Sequence, residues 1–131
     1  MLFRSVAAAA PYHRKQLLQL GSKMRFVSAQ FAALLADDLW LQNASHANTM
    51  ARRLADRIVG LPGVEIRQPV ESNAVFAALD PRDIPALQQD WRFHVSDERE
   101  HVVRLMTAFN TTEADVDALA AAICATVASR T

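Results

Sequence analysis

The chain has 131 residues, 51% apolar and 21% charged, with 14 basic side chains against 14 acidic ones. That length suits a single domain, and the even charge, with no basic stripe interleaved with aromatics, excludes a nucleic-acid protein driven by net charge. No apolar run approaches the roughly 18 residues of a membrane span, and one cysteine, Cys124, excludes an internal disulfide and fits a reducing, cytoplasmic setting.

The opening residues carry Arg4 and no acid, which is compatible with a targeting peptide. Their apolar core is short and interrupted, so they read as a ragged lead into the first helix. Pro11 sits where a first helical turn tolerates it, and Leu17, Leu18 and Leu20 give that helix an apolar side. Gly21 interrupts. From Ser22, a candidate N-cap, a second helix is predicted through Phe26, Val27, Phe31, Leu34 and Leu35. Gly21-Ser22 can present backbone N–H groups where the helix restarts, and Lys23 and Arg25 add two cations there. Such a corner suits an anion like phosphate, although basic corners are more often plain solvated surface.

Asp37 and Asp38 supply the next cap. A third helix then carries Leu41, Ala44, Ala47, Ala51, Leu54, Ala55 and Ile58 on one face, and Gly60 closes it. After Leu61-Pro62-Gly63 the pattern changes. Val64–Arg67 alternates like an edge strand, and 73–79 is apolar on both sides like an interior one. Asp80-Pro81 opens a short helix to about Asp90. Trp91–Val95 and Val102–Phe109 are predicted strands flanking a charged loop, Ser96–Glu100. Thr112-Glu113-Ala114-Asp115 has the form of a capping box with Asp in place of Glu, opening a last helix that buries Val116, Leu119, Ala120, Ile123 and Val127. Cys124, on that helix among alanines, reads as a buried, inert thiol.

The order α-α-α-β-β-α-β-β-α with short connections predicts an α+β domain. Two to three helices precede a small antiparallel sheet of about four strands, with helices mainly on one face. The other sheet face, or the helix over 23–36, is left wanting a partner, so self-association is expected.

Arg104 is the most telling single residue. Alternation puts it on the face of Val102 and Met106, where a guanidinium buried alone costs several kcal/mol. Three outcomes stay open: snorkelling from a strand end or edge, an internal carboxylate partner, or a ligand's carboxylate held in a bidentate grip. His94 and His101 bracket the charged loop with Asp97, Glu98 and Glu100 at no recognised metal spacing, so no metal ligands are assigned. His46 reads as a packing or surface residue and His13 adds to the basic corner. No Ser-His-Asp, Cys-His or paired-carboxylate arrangement is legible.

Taken together, Lys15-Gln16, Gly21-Ser22-Lys23-Met24-Arg25-Phe26, Asn43 through Asn48, Val103-Arg104-Leu105-Met106 and Thr111-Thr112-Glu113-Ala114-Asp115-Val116-Asp117 resemble a known family. The chain is similar, from about residue 12 to residue 128, to the C-terminal small domain of the low-specificity L-threonine aldolases. These are pyridoxal-phosphate lyases of the aspartate-aminotransferase-like fold. The resemblance implies cleavage of β-hydroxy-α-amino acids to glycine and an aldehyde, with the cofactor acting as electron sink. It implies that Arg104 binds the substrate α-carboxylate and that Arg25, with Lys23 a weaker candidate beside it, lies at the cofactor phosphate. Asn48 matches a family position read as structural.

The family's Schiff-base lysine, and the histidine and acid that hold the cofactor ring, belong to a large domain preceding the region matched here. None has a counterpart in this sequence, whose lysines are Lys15 and Lys23 alone. The expectation is therefore a truncated or separately encoded small domain, inactive by itself and completed by a large-domain or homo-oligomeric partner. The alternative is a non-catalytic interaction or dimerisation domain that retains the fold.

Overall fold

The computed structural model describes residues 7–19, 21 and 23–130. Leu20 and Ser22, assigned above to an apolar helix side and an N-cap, lie outside the described residues. The chain divides into two compact units, Met1–Leu39 and Trp40–Thr131.

In the first unit, α1 spans Ala10–Gln16 with proline in its first turn and His13, Arg14 and Lys15 in its last, where cations suit the negative end of the dipole. The helix does not reach the leucines that the sequence assigns to it. Leu17 is its C-cap and Leu18 turns to a left-handed φ of 54°, so both side chains stand exposed. A second helix, α2, spans Met24–Leu35 and opens from Lys23, itself left-handed at φ 58°. A 3-10 turn over Ala36–Asp38 follows, with Asp37 and Asp38 both at positive φ, a conformation that Asp tolerates better than most residues.

The second unit holds the sheet. Helix α3 (Leu39–Ile58) buries Ala47, Met50, Ala51, Leu54, Ala55 and Ile58. Its predicted stripe is correct from Ala47 onward; Leu41 and Ala44, in phase with it, are exposed. Gly60 takes φ 81° just beyond the helix, the left-handed C-terminal stop that its position predicts. Strands β1 (Val64–Ile66), β2 (Ala74–Leu79), β3 (His94–Asp97) and β4 (Val102–Met106) form one antiparallel sheet in the order β1-β2-β4-β3. Helix α4 spans Asp83–Asp90 and α5 spans Glu113–Ala128.

Pleating decides which side of the sheet is dry. Val75, Ala77 and Leu79 of β2 and Val103 and Leu105 of β4 are buried, and they join one core with Leu54, Ile58, Ile84, Leu87, Val116 and Ile123 from α3, α4 and α5. Packed helices therefore serve one face, as the order of elements predicts. The opposite face presents Glu65, Phe76, Arg104, Met106 and His94.

Four expectations need correction. The third strand begins at His94, because Trp91 still donates its backbone N–H to the Leu87 carbonyl and ends α4 in extended conformation. The fourth strand stops at Met106, where the chain leaves β2 and turns. The short helix starts at Asp83, since the Asp80 carboxylate instead accepts the Arg82 N–H and its guanidinium. Cys124, expected to be buried, is exposed, one position past fully buried Ile123.

The α5 capping box forms as the sequence implies: Asp115 N–H donates to Thr112 Oγ1 at 3.1 Å, and Thr112 N–H donates to Asp115 Oδ2 at 2.8 Å. Arg53 of α3 grips Asp117 of α5 through two hydrogen bonds of 3.1 and 2.9 Å, and also meets Glu113 at 3.1 Å. Arg130 ties the end of the chain to the sheet unit. It reaches Asp80 at 2.7 Å and donates to the Pro62 carbonyl at 3.1 Å; its buried Nε stands 3.3 Å from Asp83 without hydrogen-bond alignment. Gly63, at φ +77°, gives this guanidinium room, because a Cβ there would stand 2.8 Å from Arg130 Nη2.

These pairs set an acid limit. Hydrogen bonds from Arg82 hold the Asp80 carboxyl well below its ordinary value, the Arg53 bond lowers Asp117, and the Thr112 bond lowers Asp115. A carboxyl whose folded pKa is depressed contributes stability that is complete above its unfolded value, about 3.9, and is lost as protons bind at lower pH. The urea midpoint should therefore change little from pH 7 to 5 and fall steeply below about pH 4. A midpoint that rose on acidification would contradict these assignments.

Candidate functional site

Helical packing on one side of the sheet leaves β4 with two unlike faces. Val103 and Leu105 point into the core, and the intervening Arg104 points out. In register it lies between Phe76 of β2 and His94 of β3, with Met106 two residues along on the same face. Arg104 therefore sits near the middle of a four-stranded sheet, on the surface that no helix of this unit covers. Arg104 is exposed, and it makes no hydrogen bond or ion pair with any described residue.

Several acids of the sheet unit are committed to other partners. Glu65 and Glu100 both bind Arg67, each at 3.1 Å, so the cation after β1 occupies them. Asp97 turns back on its own loop, where Oδ1 accepts the N–H groups of Arg99 and Glu100. Two acids of the charged loop before β4, Asp97 and Glu100, are thus engaged away from Arg104. What remains on the open face is an unengaged planar guanidinium beside an aromatic ring and an imidazole, a donor fork that matches a carboxylate.

Lys23 and Arg25 belong to the other unit. Lys23 precedes α2, and Arg25, in its first turn, places its guanidinium 5.6 Å from the ring centre of neighbouring Phe26. Both are exposed cations at the start of a helix, where N–H groups are free of intrahelical partners. Lys15, the chain's other lysine, is exposed in the last turn of α1.

At the end of β4 the backbone is held with care. Thr107, almost fully buried, donates its hydroxyl to the Ala47 carbonyl at 2.7 Å, and Asn73 donates its amide to the Thr107 carbonyl at 2.7 Å. His46 stands 2.7 Å from the Thr111 carbonyl through Nε2, and since a carbonyl only accepts, Nε2 carries the proton. These bonds fix the path from Arg104 to the α5 cap. They span 34 to 65 residues of sequence, so local pattern gave no sign of them.

The sequence is 40% identical to a low-specificity L-threonine aldolase of Pseudomonas sp. (strain NCIMB 10558) over 127 residues, 96% of this chain and 36% of that protein. It is 46% identical over 92 residues to a low-specificity L-threonine aldolase of Pseudomonas aeruginosa, covering 70% of this chain and 27% of that one. The chain is homologous to low-specificity L-threonine aldolases. A solved threonine aldolase of Leishmania major superposes with a TM-score of 0.67 at 25% identity, over 75% of this chain and 29% of that structure. The four-stranded antiparallel sheet with its helices is thus the small-domain fold of such an aldolase. No family model matches the sequence. The chain spans about a third of the length of the curated aldolases it matches. Among the described residues, no helix is long and apolar enough to cross a membrane.

Proposed function

We propose that these 131 residues form the small-domain part of a threonine-aldolase-like lyase. In it, Arg104 grips the α-carboxylate of a β-hydroxy-α-amino acid, and Arg25, with Lys23 beside it, serves the phosphate of the cofactor. One observation carries the reading most: an exposed guanidinium in mid-sheet that makes no hydrogen bond or ion pair with any described residue.

The implied cofactor, pyridoxal phosphate, supplies an electron sink when bound. The residues present fit only the anionic ends of the assembly. Cations for a phosphate and a guanidinium for a carboxylate exist, whereas the two lysines lie together in the Met1–Leu39 unit, one in α1 and one before α2, and neither is on the sheet that bears Arg104. The lysine that carries the cofactor is therefore assigned to polypeptide beyond these residues, and that large-domain segment is the partner this reading requires.

A second reading, a non-catalytic interaction domain, is favoured by α2, which buries none of its twelve residues and exposes Phe26, Val27, Phe31, Leu34 and Leu35. The two readings differ in whether supplying the large domain restores cofactor binding, and in neither do Lys15 and Lys23 carry the cofactor. The isolated chain mixed with pyridoxal phosphate should develop no yellow cofactor–lysine absorbance. A stoichiometric yellow species that disappeared in Lys23→Ala or Lys15→Ala would overturn the assignment of that lysine to another segment.

A further inference from the structure

Where the core face of β4 runs out, the second unit holds a half-open cavity of roughly 290 Å³. It lies between the first turns of α5 and the extended stretch after α4. Buried Leu54, Leu105 and Val116 form its floor, and half-buried Trp91 and Phe93 line its side. Arg92 and Asn110 stand at its edge, both exposed and neither making a hydrogen bond or ion pair with a described residue.

The one acid lining it is committed. Asp115 accepts the Thr112 N–H at 2.8 Å and the Thr112 hydroxyl at 2.7 Å, so its carboxylate serves the helix cap. Thr111 is likewise occupied, its hydroxyl accepting the Ala108 N–H at 2.9 Å and its carbonyl meeting His46. The groups left to bind something are a guanidinium and a primary amide above an apolar, aromatic-walled floor. Ligand pockets have this make-up, mostly apolar with a few convergent polar groups. The volume falls at the bottom of their usual range, about 300–1,000 Å³, which sets the occupant's size below that of a typical drug.

We propose that this cavity binds a small carboxylate with an apolar or aromatic body. The body lies against Trp91 and Phe93, and the carboxylate meets Arg92 with Asn110 donating beside it. This site does not depend on the reading of Arg104, whose side chain leaves β4 on the face opposite Leu105.

The test is an NMR titration of the full chain with phenylacetate, following backbone amides and the Trp91 indole. Saturable shifts are expected at Trp91, Thr111 and Leu119, with millimolar affinity (about −4 kcal/mol at 1 mM). Arg92→Ala should weaken binding about fivefold, the upper range for an exposed charge contact. Leu119→Trp, which fills the cavity while leaving Arg92 in place, should abolish binding with the circular dichroism unchanged. Absence of saturable shifts overturns the proposal, as does equal binding of 2-phenylethylamine, whose charge is opposite. If Arg104→Ala removed phenylacetate binding while Arg92→Ala kept it, the anion would sit on the open sheet face, and this site would be refuted with the reading of Arg104 intact.

Discussion

In an enzyme assembled from this chain and the lysine-bearing segment of an aldolase relative, Arg104→Ala should lower kcat/KM for threonine by about a hundredfold to ten-thousandfold. A bidentate grip makes two charge-assisted hydrogen bonds, each worth roughly 1.5–3 kcal/mol, and each 1.36 kcal/mol is a factor of about ten in rate. Arg104→Lys should recover only part of the loss, because an ammonium offers a point charge where the carboxylate meets a planar fork. Neither change should affect folding. The side chain is exposed and without a partner among the described residues, so its removal leaves no buried group unsatisfied. A loss of activity with an unchanged unfolding midpoint is the expected pattern. If both variants kept wild-type kcat/KM, Arg104 would have no part in substrate binding.

The second large effect is on stability. Ile123→Ala should cost about 2–5 kcal/mol, a large share of the roughly 5–15 kcal/mol that holds such a domain. Ile123 is only 1% exposed and lies in the single core where α5 meets the sheet. The adjacent Cys124→Ala should stay within about 0.5 kcal/mol of the parent, as surface substitutions do, because that thiol is exposed. Urea unfolding of the two variants reads the rotational setting of α5 directly. A costly Cys124→Ala and a mild Ile123→Ala would mean that the helix is turned by about 100° from the position described.

How far the sequence could be read follows from the range of the interactions. The α5 cap was legible because all its partners lie within four residues, Thr112 to Asp115. Alternation in 102–106 was enough to put Arg104 opposite Val103 and Leu105, since the pleat alone decides it. Periodicity named the face of α3 without saying how much of it would be covered, and Leu41 and Ala44 keep the phase but are exposed. Trp91-Arg92-Phe93 has strand-like composition, yet strand pairing begins only at His94 opposite Arg104, with an irregularity between Val95 and Asp97. Its aromatics line a cavity instead. That Arg104 would lack a partner was not legible at all. Ion pairs on this unit join residues far apart in sequence, such as Arg67 and Glu100 across 33 residues, so tertiary placement settles which charges are paired.

The likeness to the aldolases supplied roles for Arg104 and Arg25 that spacing alone left open. The two stand on different footings. Arg104 has a described setting in mid-sheet with no partner among the described residues, while Arg25 has a helix start and a neighbouring ring. The proposed phosphate role therefore rests on the resemblance alone, and the proposed carboxylate role on the resemblance together with the setting of Arg104.

The central claim is that this chain brings the carboxylate side of an aldolase site and lacks the lysine side. It is tested most directly by joining the chain to the part of the Pseudomonas sp. (strain NCIMB 10558) relative that it does not match and assaying threonine cleavage with pyridoxal phosphate. The joined protein should release glycine and acetaldehyde, while the isolated chain should release neither. Turnover by the isolated chain, or a well-folded joined protein with bound cofactor and no turnover, would contradict the account.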